Sequence, residues 1–218
     1  MAYLPCVEIE PNETANRSII WLHGLGADGN DFAPIVPHIQ APTGAHIRFV
    51  FPHAPQIPVT INGGMRMPAW YDILEMSIAR KVDATQLRAS ASAVRDLIQR
   101  EQERGIAAEH IILAGFSQGG AVAYETALTH HEKLGGLMAL STYLATHESI
   151  ELNPVNRELP ILIQHGSQDP VVPEALGKHA YQWLTEQGYQ ADYQSFPMQH
   201  QVCAEQIDAI NKWLSKHL

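Results

Sequence analysis

Six short runs of apolar and β-branched residues alternate with segments of helical periodicity along this chain. The runs cover residues 18–23, 47–52, 110–116, 134–141, 160–164 and 191–196. Continuous apolar runs of this length suit strands that are buried on both faces, and their alternation with helices indicates parallel pairing. The sequence therefore predicts an α/β fold with a mostly parallel central sheet and helices on both faces.

The helical segments are recognised by their apolar spacing. Between residues 83 and 104, apolar residues recur at intervals of four, three and four, which is one face of a helix, and Gly105 is a stop signal. The residues of that face are Leu87, Ala91, Val94 and Ile98. Residues 118–130, 174–187 and the C-terminal stretch after Cys203 predict three further helices. Since no repeat or low-complexity linker interrupts the 218 residues, we expect a single domain over 1–218.

Charge, cysteine spacing and the lack of targeting motifs limit the partners and the cellular location that we expect for this protein. The net charge of −9 argues against nucleic acid or an anionic membrane surface as the main partner. The two cysteines, Cys6 and Cys203, have neither disulfide-framework nor zinc-ligand spacing. No motif for a metal or a nucleotide occurs, so we expect no metal and no cofactor. Without a signal-peptide pattern at the start or an apolar stretch of about 18 residues, we expect a cytoplasmic protein with no membrane insertion.

A G-F-S-Q-G run at residues 115–119 carries the strongest chemical signal. The residues before it are strand-like and those after it open a helix, which is the context that a G-x-S-x-G nucleophile turn requires. Gly115 and Gly119 permit the sharp turn, because a side chain at either position would collide with the neighbouring strand or helix. We therefore predict that Ser117 is the nucleophile of a serine hydrolase.

The base and the acid are expected after Ser117 in the chain, on loops at the carboxyl edge of the sheet. Among the histidines in that part of the chain, His200 alone follows the last predicted strand, so it is the predicted general base. Two aspartates fall between Ser117 and His200: Asp169 follows a strand through a turn, whereas Asp192 enters the last strand at the opposite edge. Asp169 is the better candidate for orienting the imidazole.

Acyl transfer also needs two backbone donors for the oxyanion. The N–H of Gln118 is one, and the loop H-G-L-G at residues 23–26 should supply the other. Leu25 is our prediction for that donor, with Gly24 as the alternative. His23 is expected to hold the loop by hydrogen bonding rather than to act in catalysis.

The segment 53–79 is long for a loop, and it combines prolines and glycines with apolar residues, which predicts a structured cap. We expect acyl chains to lie beneath Met65, Trp70 and Leu74, so that Trp70→Ala would raise KM for longer chains. Gly63 and Gly64 suggest that the segment moves as a gate.

Several motifs together resemble the bacterial carboxylesterase and acyl-protein thioesterase family of α/β-hydrolases over nearly the whole chain. They are H-G-L-G-A-D-G at 23–29, P-H-A-P at 52–55, M-P-A-W-Y-D at 67–72, G-F-S-Q-G-G at 115–120, H-G-S-Q-D at 165–169 and the region of His200. The resemblance implies an α/β-hydrolase fold with no large lid domain, and the same triad and oxyanion donors. It also implies a homodimer, since members often form dimers. Gln201 departs from the family, which often has Ser after the histidine.

The favoured function is a serine carboxylesterase for short- to medium-chain acyl esters. The alternative is an acyl-protein thioesterase or lysophospholipase with the same triad, so the expected substrates are small esters or thioesters, including lipids and acylated proteins. A non-catalytic interaction module on a hydrolase scaffold is a third reading, and the complete set of catalytic elements argues against it. Peptidase and lactonase chemistry use the same parts and rank below the esterase.

Overall fold

The computed structural model describes residues 3–75 and 81–218. Its strands are β1 (Cys6–Ile9), β2 (Arg17–Leu22), β3 (Ile47–Pro52), β4 (Gln56–Val59), β5 (Met65–Pro68), β6 (Ile73–Glu75), β7 (Lys81–Val82), β8 (Ile111–Phe116), β9 (Gly136–Leu140), β10 (Ile161–Gly166) and β11 (Ala191–Phe196). Its α-helices are α1 (Ala84–Glu103), α2 (Gln118–Thr129), α3 (Glu174–Glu186) and α4 (Ala204–His217). Short 3-10 helices cover Ala33–His38, Thr60–Asn62, Ala108–His110 and Pro154–Asn156.

Seven strands form the central sheet in the order β1-β3-β2-β8-β9-β10-β11. All neighbours pair in parallel except β1, which pairs antiparallel with β3 at the edge. The mostly parallel sheet predicted from the six apolar runs is therefore confirmed. The antiparallel strand β1 and the small hairpin of β4 and β5 were not predicted, because neither is a continuous apolar run.

Apolar side chains cover both faces of the sheet. On one face α1, α2 and α3 pack over a core that includes Leu113 and Leu137, and the predicted apolar face of α1 is fully buried in it. On the other face Ile210 and Leu214 of α4 pack with residues of β2, β3 and β8. Because parallel strands end at one edge, the loops after β2, β8, β10 and β11 meet there. No helix in the described ranges is both long and apolar enough to cross a membrane.

His130 lies at the C-terminal end of α2 and is only 2% exposed. Neither ring nitrogen makes a hydrogen bond to any residue that the structure describes, and Glu132 Oε2 lies 3.9 Å from Nε2. Burial, reinforced by the nearby His131 and Arg95, lowers the pKa of His130 from 6.5 to about 4. The imidazole is therefore neutral in the folded protein at neutral pH.

Acidification should destabilise the protein through His130. Below about pH 6.5 the unfolded chain binds a proton at this residue that the folded chain does not, so stability falls as the pH drops from about 6.5 to 4. The expected loss reaches about 3 kcal/mol. Urea unfolding between pH 7 and pH 4.5 should show a smaller loss for His130→Gln than for the wild type. His38→Gln is the control, because His38 is exposed and is not among the groups that change the pKa of His130. Equal pH dependence in the wild type and His130→Gln would contradict this assignment.

Candidate active site

Ser117 lies on the tight turn between β8 and α2. Its backbone dihedral angles are φ 54° and ψ −121°, a conformation that L-residues rarely adopt. A Cβ built on Gly115 would lie 2.5 Å from Gly119 O, and one on Gly119 would lie 2.5 Å from His23 O. Both glycines therefore have no room for a side chain, as the sequence predicted. Close packing around the turn holds the Ser117 hydroxyl at the carboxyl edge of the sheet.

The three predicted catalytic side chains lie in one hydrogen-bonded row. His200 Nε2 is 2.9 Å from Ser117 Oγ, and His200 Nδ1 is 2.6 Å from Asp169 Oδ2. Ser117 follows β8, Asp169 follows β10 and His200 follows β11. The Phe116 ring packs against the His200 imidazole, with ring centroids 4.7 Å apart.

Asp169 is held as a carboxylate. Its burial alone would raise the pKa, but hydrogen bonds from His200 and from the N–H groups of Val172 and Val171 outweigh burial and lower it. An ionised carboxylate only accepts hydrogen bonds, so His200 Nδ1 carries the proton that it donates to Asp169. In the neutral imidazole Nε2 then carries no proton and accepts the hydrogen bond of the Ser117 hydroxyl. This tautomer is the one that general-base catalysis requires.

His165 lies close to Asp169 and was not predicted as part of the site. It is buried, its Nε2 donates to Val172 O at 2.8 Å, and the same nitrogen lies 3.7 Å from Asp169 Oδ2. Burial lowers the pKa of His165, so its ring is neutral at neutral pH. A neutral His165 does not compete with His200 for the negative charge of Asp169. Its position within β10 resembles a core residue, so sequence alone gave no signal of this contact.

The loop after β2 packs directly against the nucleophile. A Cβ on Gly24 would lie 3.4 Å from Ser117 Cβ, and Gly26 N–H donates to Pro68 O at 2.8 Å. Within residues 3–75 and 81–218, the Leu25 N–H donates to no backbone carbonyl. Gln118 is the first residue of α2, where an N–H has no acceptor inside its own helix. Both predicted oxyanion donors thus lack a backbone acceptor among the described residues, and their role toward a ligand oxygen stays a prediction.

His23 has a structural role, as the sequence indicated. Its Nε2 accepts the N–H of Ala54 at 3.1 Å, so Nδ1 is the protonated nitrogen and donates to Gly24 O at 2.7 Å. Burial lowers the pKa of His23, which keeps this neutral form. The ring therefore ties the loop after β2 to the loop after β3.

The Gln118 side chain connects the nucleophile turn to the segment after β5. Its Oε1 accepts Trp70 N–H at 2.8 Å and its Nε2 donates to Tyr71 O at 2.6 Å. Trp70 Nε1 donates to His23 O at 2.8 Å. These bonds use both ends of the Gln118 amide, a role that the short motif did not reveal. The segment is therefore anchored to both sides of the site.

The three residues predicted to contact an acyl chain differ in exposure. Met65 is 65% exposed and Leu74 is 39% exposed, but Trp70 is 1% exposed. Trp70 is covered because its indole packs against His23 and bonds to the loop after β2. An acyl chain therefore has no direct access to Trp70, whereas contact with Met65 and Leu74 stays a prediction. The end of the predicted cap, residues 76–79, lies outside the described residues.

Gly63 and Gly64 form the turn between β4 and β5 and both have positive φ, at 65° and 76°. Glycine adopts such angles without strain, so these residues serve the hairpin turn. A role as a gate stays a prediction.

Among the described residues no group of three or more His, Cys, Asp and Glu side chains is arranged to hold a metal ion.

Comparison with known proteins identifies relatives along nearly the full chain. The model of a family described as Phospholipase/Carboxylesterase matches residues 5–218. Acyl-protein thioesterase 1 of Neurospora crassa is 39% identical over 212 residues, covering 92% of this chain and 86% of the relative. Acyl-protein thioesterase 1 homolog 1 of Dictyostelium discoideum is 38% identical, covering 94% and 92%. The crystal structure of Zea mays acyl-protein thioesterase 2 superimposes with a TM-score of 0.87 at 27% identity, covering 99% of each chain.

Proposed function

Because the chain belongs to the phospholipase/carboxylesterase family of α/β-hydrolases, and is thus a serine hydrolase acting on ester or thioester bonds, we propose that it hydrolyses short- to medium-chain acyl esters. In this proposal Ser117, His200 and Asp169 form the catalytic triad. The observation that carries it is the row of hydrogen bonds from Ser117 Oγ to His200 and from His200 to Asp169, at 2.9 and 2.6 Å.

In the proposed reaction, Ser117 Oγ attacks the carbonyl carbon of the ester while His200 Nε2 takes the hydroxyl proton. Asp169 stabilises the imidazolium that forms. The N–H groups of Leu25 and Gln118 donate to the oxyanion of the tetrahedral intermediate. The tetrahedral intermediate then collapses, and His200 protonates the alkoxide, which departs as an alcohol. The acyl group stays on Ser117 Oγ. Water, activated by His200 in the same way, hydrolyses this acyl-enzyme and restores the serine.

Met65 and Leu74 are the proposed acyl-contacting residues, because they are exposed apolar side chains on the segment that is anchored beside the nucleophile. Trp70 supports this segment from beneath. Trp70→Ala would therefore disturb the packing of the segment and could change acyl binding only through it. The exposed residues Met65 and Leu74 are more direct probes of chain-length preference.

A panel of p-nitrophenyl esters from acetate to palmitate tests the proposal. We expect kcat/KM to peak at a short or medium chain, and Leu74→Ala to raise KM more for the longer esters than for acetate. Val155→Ala is the control, because Val155 is similarly exposed but precedes β10, at the opposite edge of the sheet. No turnover of any ester by folded protein would contradict the esterase function. An unchanged chain-length profile in Leu74→Ala would contradict the acyl placement.

The second candidate is an acyl-protein thioesterase, which the names of the relatives favour. A matched pair of acylated peptides, one a cysteine thioester and one a serine ester with the same chain, separates the candidates. Faster hydrolysis of the long-chain thioester than of any short ester would favour the thioesterase. A lysophospholipid in the same assay tests the lipid alternative. Whichever activity is found, the single domain, the homodimer and the cytoplasmic location remain predictions.

A further inference from the structure

The unusual backbone of Ser117 is held by bonds to both of its polar groups. Its N–H donates to Leu140 O at 3.0 Å. Its carbonyl oxygen accepts the N–H groups of Gly120 and Ala121 at 3.0 and 3.4 Å, and also the hydroxyl of Thr142 at 2.5 Å. A residue with such strained dihedral angles keeps them only where its surroundings fix them. The Thr142 side chain lies outside the turn and helps to hold the Ser117 backbone in this conformation.

Thr142 is placed for this contact by the end of β9. It is 1% exposed and follows Ser141, which has a positive φ of 45° and donates its N–H to Gln164 O at 2.8 Å. A Cβ built on Gly120 would lie 2.5 Å from the Thr142 side chain. Gly120, the last glycine of the G-F-S-Q-G-G run, therefore makes room for Thr142 against the first turn of α2.

The carbonyl that Thr142 binds belongs to the same peptide unit as the Gln118 N–H. A trans peptide is planar, and its C=O and N–H point in opposite directions. Fixing the direction of Ser117 O thus fixes the direction of the Gln118 N–H. A hydrogen bond at the oxygen also polarises the peptide and makes its N–H a stronger donor.

We propose that Thr142 is a positioning residue for the oxyanion site, whose hydroxyl orients and polarises the Ser117–Gln118 peptide so that the Gln118 N–H faces the developing oxyanion. The inference rests on the proposed function, because it assigns Thr142 to the same hydrolysis. It adds a contact that the nucleophile motif does not contain. Thr142 touches neither the substrate nor the reacting atoms.

Thr142→Val and Thr142→Ser form a matched pair for the test. Valine keeps the shape of the side chain and loses the hydroxyl, while serine keeps the hydroxyl and loses a methyl group. We expect Thr142→Val to lower kcat by about 10-fold with KM little changed, less than the 10²- to 10³-fold loss of an entire oxyanion donor. Thr142→Ser should restore most of kcat. The pH profile of kcat/KM should keep its midpoint, since His200 and Asp169 are untouched.

An alkylboronic acid gives a second readout, because its tetrahedral adduct with Ser117 places an oxygen at the oxyanion position. Its inhibition constant should rise for Thr142→Val by a factor similar to the fall in kcat, and recover for Thr142→Ser. Thermal unfolding of each variant checks the fold. If Thr142→Val does not fold, Thr142→Ala replaces it, since it adds no bulk.

Equal kcat in the wild type and Thr142→Val would overturn the inference. Equal losses in the valine and serine variants would also overturn it, because the methyl packing rather than the hydroxyl would then matter. A wild-type protein without esterase or thioesterase activity would overturn both the proposed function and this inference. An active wild type with two unaffected variants would overturn the role of Thr142 alone.

Discussion

Ser117→Ala is expected to lower kcat for p-nitrophenyl esters by about 10⁶-fold, on the scale seen when a triad serine is removed from a serine protease. The variant loses the Ser117 oxygen, which lies 2.9 Å from His200 Nε2 in the proposed triad. Without it no acyl-enzyme forms, and the oxyanion donors and substrate binding supply the remaining rate. The initial rates of wild type and variant, each at saturating ester, measure the effect.

The control for this prediction is Ser215→Ala. Ser215 lies on the exposed side of α4, and its hydroxyl donates to Lys212 O within that helix. Its replacement should leave kcat unchanged. Retention of more than a hundredth of the wild-type rate by Ser117→Ala, with contaminating esterase excluded, would show that another group performs the attack.

Asp169→Asn is expected to lower kcat by about 10⁴-fold while the protein stays folded. The amide is nearly the same shape as the carboxylate, but its NH₂ group donates a hydrogen bond. Facing such a donor, His200 Nδ1 would become the acceptor, and the proton would move to Nε2. That nitrogen could then no longer take the proton of Ser117. Steady-state kinetics between pH 5 and pH 9 measure the loss.

Asp192→Asn is the matched control, because Asp192 is the other aspartate between Ser117 and His200 and it lies exposed at the start of β11. This variant should keep the wild-type kcat. A large loss in Asp192→Asn together with an active Asp169→Asn would exchange the two assignments. Equal, small losses would mean that no carboxylate orients His200.

The sheet and the hydrogen-bonded row of Ser117, His200 and Asp169 could be predicted from the sequence, because each depends on local pattern and chain order. The buried strands β8 and β10 are largely apolar runs, whereas the edge strand β11 is partly exposed and mixed in sequence. β10 and β11 end just before the loops of Asp169 and His200. A parallel sheet brings these loops to one edge, so the candidates could be predicted without knowing any distance. The family resemblance and the fold neighbours agree with that prediction of the fold.

Contacts between distant segments were not accessible in this way. Trp70 occurs in an apolar stretch that suggested an acyl site, yet its N–H groups bond to Gln118 and His23, so it is buried. Thr142 follows a strand with nothing in its neighbours to indicate the bond to Ser117 O. Such roles depend on packing between segments that are far apart in the chain. Neither segment carries a recognisable motif for the contact. The one local trace is Gly120, whose missing side chain leaves space for Thr142.

Trapping the acyl-enzyme tests the central claim most directly. The protein is mixed with a p-nitrophenyl ester, quenched in acid within the first turnovers, digested and analysed by peptide mass spectrometry. We predict that the peptide containing Ser117 gains the mass of the acyl group, that Ser117 itself carries it, and that Ser117→Ala gives no labelled peptide. An acyl group on another residue, or an equal label in Ser117→Ala, would contradict the account.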